Sequence, residues 1–170
     1  CKNCHQSGTR ITPLGPKVGN LNKIYHYNTG PENQIDKWVS EGILRKPLGE
    51  LPRWPNYADP TQNLILRARA YLDVNCAHCH RSEGVASNSG LDLRYHNDDS
   101  LSLGFYKRPV AAGVGSGGLT YGIHPGKAEE SIIYYRMNSV EVKIRMPELG
   151  RNLIDEQGVA VIKEWINAME

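Results

Sequence analysis

Cys76-Ala77-His78-Cys79-His80 is the stretch around which the chain is organised, and Cys1-Lys2-Asn3-Cys4-His5 repeats its pattern. Each copy reads C-x-x-C-H, and the two copies contain all 4 cysteines of the chain. This spacing puts two thiols and an imidazole on one turn, where the thiols can add to the vinyl groups of a porphyrin and the imidazole can bind its iron. The pattern therefore predicts two covalently attached haem c groups. The attachment residues would be Cys1, Cys4, Cys76 and Cys79, and the proximal iron ligands would be His5 and His80.

Three other uses of these cysteines stay open at this point. Two C-x-x-C pairs are also a structural zinc pattern, in which four thiolates bind one ion. Zinc pairs normally lie closer together in sequence than these, and here each pair is followed at once by a histidine. Disulfides within the pairs are a second alternative, although this arrangement is uncommon outside redox folds. For the first copy alone, a lipidated Cys1 is the third.

The composition excludes some classes of function. The 170 residues allow one or two small domains. Because 20 Lys+Arg nearly balance 18 Asp+Glu, the charge does not indicate binding to nucleic acid or to a membrane surface. No apolar run has the length of a transmembrane helix, so no transmembrane segment is expected. With 17 Gly, 10 Pro and 1 Phe, the chain is predicted to be rich in loops and to have a thin core, which haem groups would complete.

The beginning of the chain lies inside the first motif. A haem-attaching segment normally follows a helix, and neither a helix nor a signal peptide precedes Cys1 in this sequence. We therefore expect the chain to be a mature or truncated piece of a longer protein. Residues 1–60 are predicted to form an N-terminal haem c domain that is truncated at its N-terminus.

Two features of this first domain resemble class I cytochromes c. Gly15-Pro16 follows the motif within a short loop, and an amphipathic helix over 32–43 is predicted to end at Gly42. The resemblance implies that the carbonyl of Pro16 accepts the Nδ1 hydrogen of His5. It also implies a Met-Pro loop after the helix, but Leu51-Pro52 stands where Met-Pro is expected.

The sixth ligand of the first haem is therefore open. His26, between Tyr25 and Tyr27 in the same domain, is the first candidate. A five-coordinate haem and a ligand from outside this sequence are the alternatives. A lone histidine is more often a surface or hydrogen-bonded residue than a ligand.

A second haem c domain is predicted over 61–170. Asp59 and Pro60 are predicted as the N-cap and first residue of a helix over about 61–75, which runs into Cys76. This helix is expected to close the first domain and begin the second. Residues 81–127 are predicted to be loop-rich, with a short strand pair over 111–118.

The remaining motifs follow in a fixed order. Gly90-Leu91-Asp92-Leu93 stands where the first domain has its Gly-Pro loop, a helix begins at Pro125, and Met146-Pro147 precedes an amphipathic helix over 154–169. This order resembles planctomycete-type cytochrome c domains over about residues 64–170. The resemblance implies His80 and Met146 as axial ligands and Leu91 beside the cofactor. Met137 is the rival of Met146, but a methionine late in a helix more commonly packs in a core.

The resemblance also implies the fold and the function. The fold is expected to be mainly α, with two tandem class I cytochrome c-like domains and long loops. The protein is expected to transfer single electrons between redox proteins, such as a dehydrogenase or another cytochrome, in the periplasm or outside the cell. No constellation of catalytic base and nucleophile is seen, which favours an electron carrier or the cytochrome domain of a larger oxidoreductase. A peroxidase-like enzyme that uses an open first haem and a zinc-stabilised binding module are the alternatives.

Overall fold

The protein is described by a computed structural model that covers residues 5–7, 9–11, 14–47 and 49–170. Cys1 and Cys4 lie outside these residues, so the haem attachment expected there stays a prediction. The chain divides into two compact units. The smaller unit is Gly15–Pro55, and the larger unit is Asn56–Glu170 with the described residues up to Leu14. The predicted haem domains, 1–60 and 61–170, stay predictions.

The larger unit includes a hairpin near the N-terminus, and the smaller unit follows it in sequence. Strand β1 (Gln6–Ser7) pairs antiparallel with β2 (Arg10–Ile11). The smaller unit consists of α1 (Val18–Leu21), β3 (Ile24–Tyr27), β4 (Gly30–Asn33) and α2 (Gln34–Ser40), with β3 and β4 antiparallel.

The rest of the larger unit is helical, with extensive loops. Its helices are α3 (Leu64–Asn75), α4 (Ser100–Leu103), α5 (Ile132–Met137) and α6 (Glu156–Asn167). Short 3-10 turns lie at Ser87–Ser89, Gly113–Ser116 and Ala128–Glu130. None of the helices in the described ranges combines the length and apolar character needed to cross a bilayer.

The expectation of a mainly α fold with two tandem class I cytochrome c-like domains is wrong. The structure is 35% helical and 9% strand, and most of its helices are short. Glycines in the left-handed conformation end three of the short helical segments, at Gly90, Gly104 and Gly117. Because such a residue reverses the backbone, it prevents the turn from growing into a long helix.

The smaller unit confirms the helix predicted over 32–43, with narrower bounds. Helix α2 begins after Asn33, whose side-chain oxygen accepts the amide of Ile35 at 2.9 Å. It ends before Gly42, which has a φ of +72°. Trp54 packs over Gly19, since its amide donates to the Gly19 carbonyl at 2.9 Å and a Cβ on Gly19 would lie 2.5 Å from the indole ring.

The core of the larger unit is built where α3 crosses α6. Tyr71 packs on Gly158 so closely that a Cβ on the glycine would lie 2.2 Å from the ring. Leu72, Ile162 and Ile166 are fully buried beside this contact. The long periodic helix predicted over 154–169 is thus confirmed as α6, whose apolar face lies in this core.

Helix α3 is buried on its polar side as well. Nε of Arg67 donates to the Tyr57 carbonyl at 2.8 Å, and Asp73 accepts the amide of Tyr95 at 2.9 Å. Arg69 donates to main-chain carbonyls of the loop that follows the second C-x-x-C-H copy, including that of Tyr95 at 2.8 Å. The middle of the helix, Arg67 to Asp73, is therefore buried on every side and lies at the centre of the unit.

Two local predictions in the larger unit are wrong. The N-cap of α3 is Asn63, which accepts the amide of Leu66 at 3.1 Å, whereas the Asp59 carboxylate accepts the Thr61 amide at 3.0 Å within a turn of its own. The strand pair predicted over 111–118 is replaced by the 3-10 turn at Gly113–Ser116. In both places a local turn satisfies the polar groups before a longer element can form.

Candidate haem attachment site

The second C-x-x-C-H copy begins where α3 ends. Cys76 is the C-cap of the helix, and its amide donates to the Leu72 carbonyl at 2.9 Å. The amides of Cys79 and His80 donate to the Cys76 carbonyl at 3.1 and 2.9 Å. Ala77, inside the turn, is 1% exposed and belongs to the core. Residues 76–80 therefore form one tight turn that is anchored to the core at its start.

Both cysteines of this turn are half-buried thiols, and no disulfide joins them. Burial raises the pKa of the Cys76 thiol to about 12, and the charges of Cys79 and Asp73 act in the same direction. The Cys76 sulfur is therefore protonated at neutral pH. Zinc binding would release this proton, as metal binding does at any cysteine ligand.

The tautomer of His80 follows from the hydrogen bonds of Ser89. Nδ1 of His80 lies 3.1 Å from the Ser89 hydroxyl oxygen, which donates to the Ala86 carbonyl at 2.7 Å and accepts the Leu91 amide at 3.2 Å. A serine hydroxyl has one proton, and here the Ala86 carbonyl accepts it. Nδ1 must therefore be the donor to Ser89, which leaves the lone pair on Nε2, the form in which histidine binds metals.

His80 is also neutral. Burial, together with the positive charges of Arg136 and His78, lowers its pKa to about 4. Desolvation disfavours the imidazolium, and nearby cations do the same. At pH 7 no proton competes for the Nε2 lone pair.

The loop after the motif folds back onto it and sets Ser89 in place. The Ala86 amide donates to the Cys79 carbonyl at 3.2 Å, and a Cβ on Gly84 would lie 2.1 Å from that carbonyl oxygen. Glycine is thus required at position 84 for this close approach. Leu91 lies two residues beyond Ser89 and packs against the core, and its predicted contact with a cofactor stays a prediction.

Met146 lies half-buried in the segment between α5 and α6. Its amide donates to the Arg136 carbonyl at 3.0 Å, and its carbonyl accepts Nη1 of Arg151 at 2.5 Å. Met137, its rival as a ligand, is 4% exposed and belongs to the core. The same segment exposes several large apolar side chains, which are Val140, Val142, Leu149 and Leu153.

Arg136 carries a half-buried positive charge at the C-terminal end of α5. Its Nε donates to the Ile144 carbonyl at 2.8 Å, and a Cβ on Gly115 would lie 3.0 Å from its guanidinium carbon. Burial lowers the pKa of Arg136, while Glu148, 3.9 Å away, raises it. This cation acts on His80 and also holds Met146 through its main-chain carbonyl.

The residues predicted for the first haem lie in different parts of the structure. His5 is half-buried and belongs to the larger unit. Pro16 and His26 belong to the smaller unit, where both are exposed and His26 pairs with Pro31 across the β3–β4 hairpin. Their predicted roles at one haem stay predictions. Among the described residues, no three His, Cys, Asp or Glu side chains form a group that could hold a metal ion.

Sequence reasoning missed Ser89, Arg136 and Arg151. Ser89 contacts His80 only because Gly84 lets the intervening loop fold back, and a serine in a Ser/Asn/Gly-rich stretch has no distinguishing signal. The arginines act through main-chain carbonyls, which no side-chain pattern marks. A comparison with family models, curated proteins and solved structures finds no match to this chain.

Proposed function

We propose that this protein transfers electrons through covalently attached haem c, with one haem at Cys76 and Cys79 and the other at Cys1 and Cys4. The observation that carries this proposal is the state of His80, whose neutral imidazole has its lone pair on Nε2 and lies on the same turn as two thiols. A bound haem would supply one-electron chemistry at its iron, and the protein would supply attachment, ligation and burial.

The chain's own groups fit this cofactor at the second motif. Each S–H would add across one vinyl group, with the sulfur bonding to one carbon and the hydrogen to the other, so that no oxidant or reductant is consumed. His80 needs no deprotonation before it binds iron, since burial holds its pKa at about 4.

Met146 is proposed as the sixth ligand of this haem. Exposed apolar side chains lie on both sides of it in the sequence (Val140, Val142, Leu149 and Leu153), and a bound porphyrin would have such side chains to pack against. A thioether ligand favours ferrous iron and raises the reduction potential. Arg136 acts in the same direction, because its half-buried positive charge near His80 disfavours a further positive charge there.

The proposed location is the periplasm or the cell exterior, since haem c attachment in bacteria takes place outside the cytoplasm. The proposed partners are redox proteins that donate or accept single electrons, such as a dehydrogenase or another cytochrome.

The test is whether haem stays attached to the chain after the protein is denatured. The protein is expressed with a haem c maturation system, and haem is assayed after denaturing electrophoresis and quantified by its alkaline pyridine spectrum. We expect two haems per chain, one after the double change Cys76→Ser and Cys79→Ser, and one after Cys1→Ser and Cys4→Ser. A colourless protein that contains zinc, or a haem that separates from the parent chain on denaturation, would overturn the proposal.

A further inference from the structure

Arg151 holds three main-chain carbonyls of one segment at once. Its Nη1 donates to the carbonyl of Met146 at 2.5 Å, and its Nη2 donates to that of Met137 at 2.6 Å and also to that of Ser139. Met137 is the last residue of α5, so the guanidinium joins the end of a core helix to the loop that carries Met146.

The partners of Arg151 are neutral. Among the described residues it makes no ion pair, and its Nε is buried without a hydrogen-bond partner. A buried donor without a hydrogen-bond partner costs free energy. Its planar fork can span carbonyls that the point charge of a lysine could not hold together.

Met146 is consequently fixed from two sides. Its amide donates to the Arg136 carbonyl at 3.0 Å, and its own carbonyl accepts Arg151. Both anchors lead back to α5, whose C-terminal end is packed in the core through Met137. The backbone of Met146 is therefore held at both of its polar groups, while its side chain makes no contribution to this anchoring.

We propose that Arg151 is the positioning residue for Met146, which it holds so that the thioether sulfur stays in place as an axial ligand. This inference rests on the proposed function, in which Met146 binds the second haem iron. In this role Arg151 acts through the main-chain carbonyl of Met146.

The test uses the haem-loaded protein and the conservative change Arg151→Lys. We expect the weak long-wavelength absorption band of sulfur-ligated ferric haem to be lost or strongly reduced, and carbon monoxide to bind the ferrous form at least tenfold faster. The matched control is Arg145→Lys in the same segment, where Nε of Arg145 donates to the Glu148 carbonyl at 3.2 Å. The control should leave both readouts unchanged.

Met146→Ala distinguishes the positioning role of Arg151 from the proposed ligation by Met146. If Met146→Ala opens the sixth position and Arg151→Lys does not, the inference about Arg151 is wrong and the proposed ligation stands. If Met146→Ala leaves the band intact, the proposed ligation itself is wrong. The double variant should bind carbon monoxide no faster than Met146→Ala alone, because both changes act on one bond.

Hydrogen exchange provides a second measurement. In Arg151→Lys the amide of Met146 should exchange at least tenfold faster than in the parent, while amides of α6 keep their protection. Equal protection of Met146 in parent and variant would overturn the positioning role. Loss of protection throughout α6 would overturn it too, because Arg151 would then support the whole unit.

Discussion

The hydroxyl of Ser89 accepts a hydrogen bond from Nδ1 of His80 over 3.1 Å and donates its own proton to the carbonyl of Ala86. Because the hydroxyl has one proton and gives it to Ala86, it can only accept the hydrogen bond from His80. A main-chain carbonyl therefore determines, through one hydroxyl, which nitrogen of the imidazole faces a metal. These two hydrogen bonds thus define the tautomer of His80 at the candidate site.

Ser89→Ala removes the acceptor for Nδ1. In the haem-loaded protein the imidazole should become a weaker electron donor, so ferric iron is less stabilised and the reduction potential rises. We expect a rise of up to about 59 mV, a tenfold change in the one-electron equilibrium. Potentiometric titration measures it, with Ser87→Ala at a neighbouring exposed serine as the control. Ser89→Thr, which keeps the hydroxyl, should restore the parent value, and a lowered potential in Ser89→Ala would contradict the assignment.

The low pKa of His80 makes the haem-free chain sensitive to acid. The folded chain binds a proton at His80 only below a pKa of about 4, whereas the unfolded chain binds it below the ordinary value of 6.5. Between these pH values the unfolded state binds more protons, so the free energy of unfolding rises with pH. The contribution of His80 to stability is therefore present at pH 7 and is lost as the pH falls to 4. The loss should reach about 2–3 kcal/mol. Urea unfolding at several pH values measures it, and His80→Gln should flatten this slope. The prediction would be refuted if the free energy of unfolding of the parent depended on pH as little as that of the variant.

Arg69 should stabilise the larger unit far more than a surface arginine does. It is buried on α3 and donates to the carbonyls of Tyr95, Arg94 and Asn97. Arg69→Met leaves these acceptors unsatisfied and should reduce the free energy of unfolding by about 3 kcal/mol. Arg94→Met is the matched control, since Arg94 pairs with Asp92 at the surface and should cost under about 1 kcal/mol. Chemical denaturation compares the two, and equal losses would count against a structural role for Arg69.

Gly158→Ala should destabilise the protein, although alanine is the better helix former. The new methyl group would lie 2.2 Å from the Tyr71 ring, and such overpacking costs about 1–3 kcal/mol. The helix-propensity gain of about 1 kcal/mol offsets only part of this. Ala160→Gly, at an exposed position of α6, measures the propensity effect separately by thermal unfolding. A stabilised Gly158→Ala variant would show that the two helices can move apart without cost.

The long helices could be predicted from the sequence and the fold class could not. Helix α6 has a continuous apolar period, and α3 runs directly into Cys76, so local pattern was sufficient to place both. The hairpin of β3 and β4 was missed because its strands are four residues each and show no apolar alternation: β3 is largely exposed, and β4 consists of Gly, Pro, Glu and Asn. The motifs fixed the order of the expected ligands but carried no information on how the chain between them folds.

The part of the candidate site that is local in sequence was predictable, and the rest was not. The thiols and His80 are adjacent in sequence, so their common turn follows from spacing. The contacts of Ser89 and Arg151 depend on loops that return over several residues, and their partners are main-chain carbonyls available at any position. Such contacts are properties of the folded backbone rather than of residue type.

The contact between Tyr71 and Gly158 also joins two parts of the chain that are far apart in sequence. Every group of the candidate site described around His80 and Met146 lies in the loop that this contact closes. The entropy of closing so long a loop must be offset when α3 meets α6, which makes that meeting a slow, late event in folding. The packing of α3 against α6 closes the loop and does not require the loop to be continuous. Two fragments produced by cleavage within one of its exposed turns should therefore reassociate as a noncovalent complex.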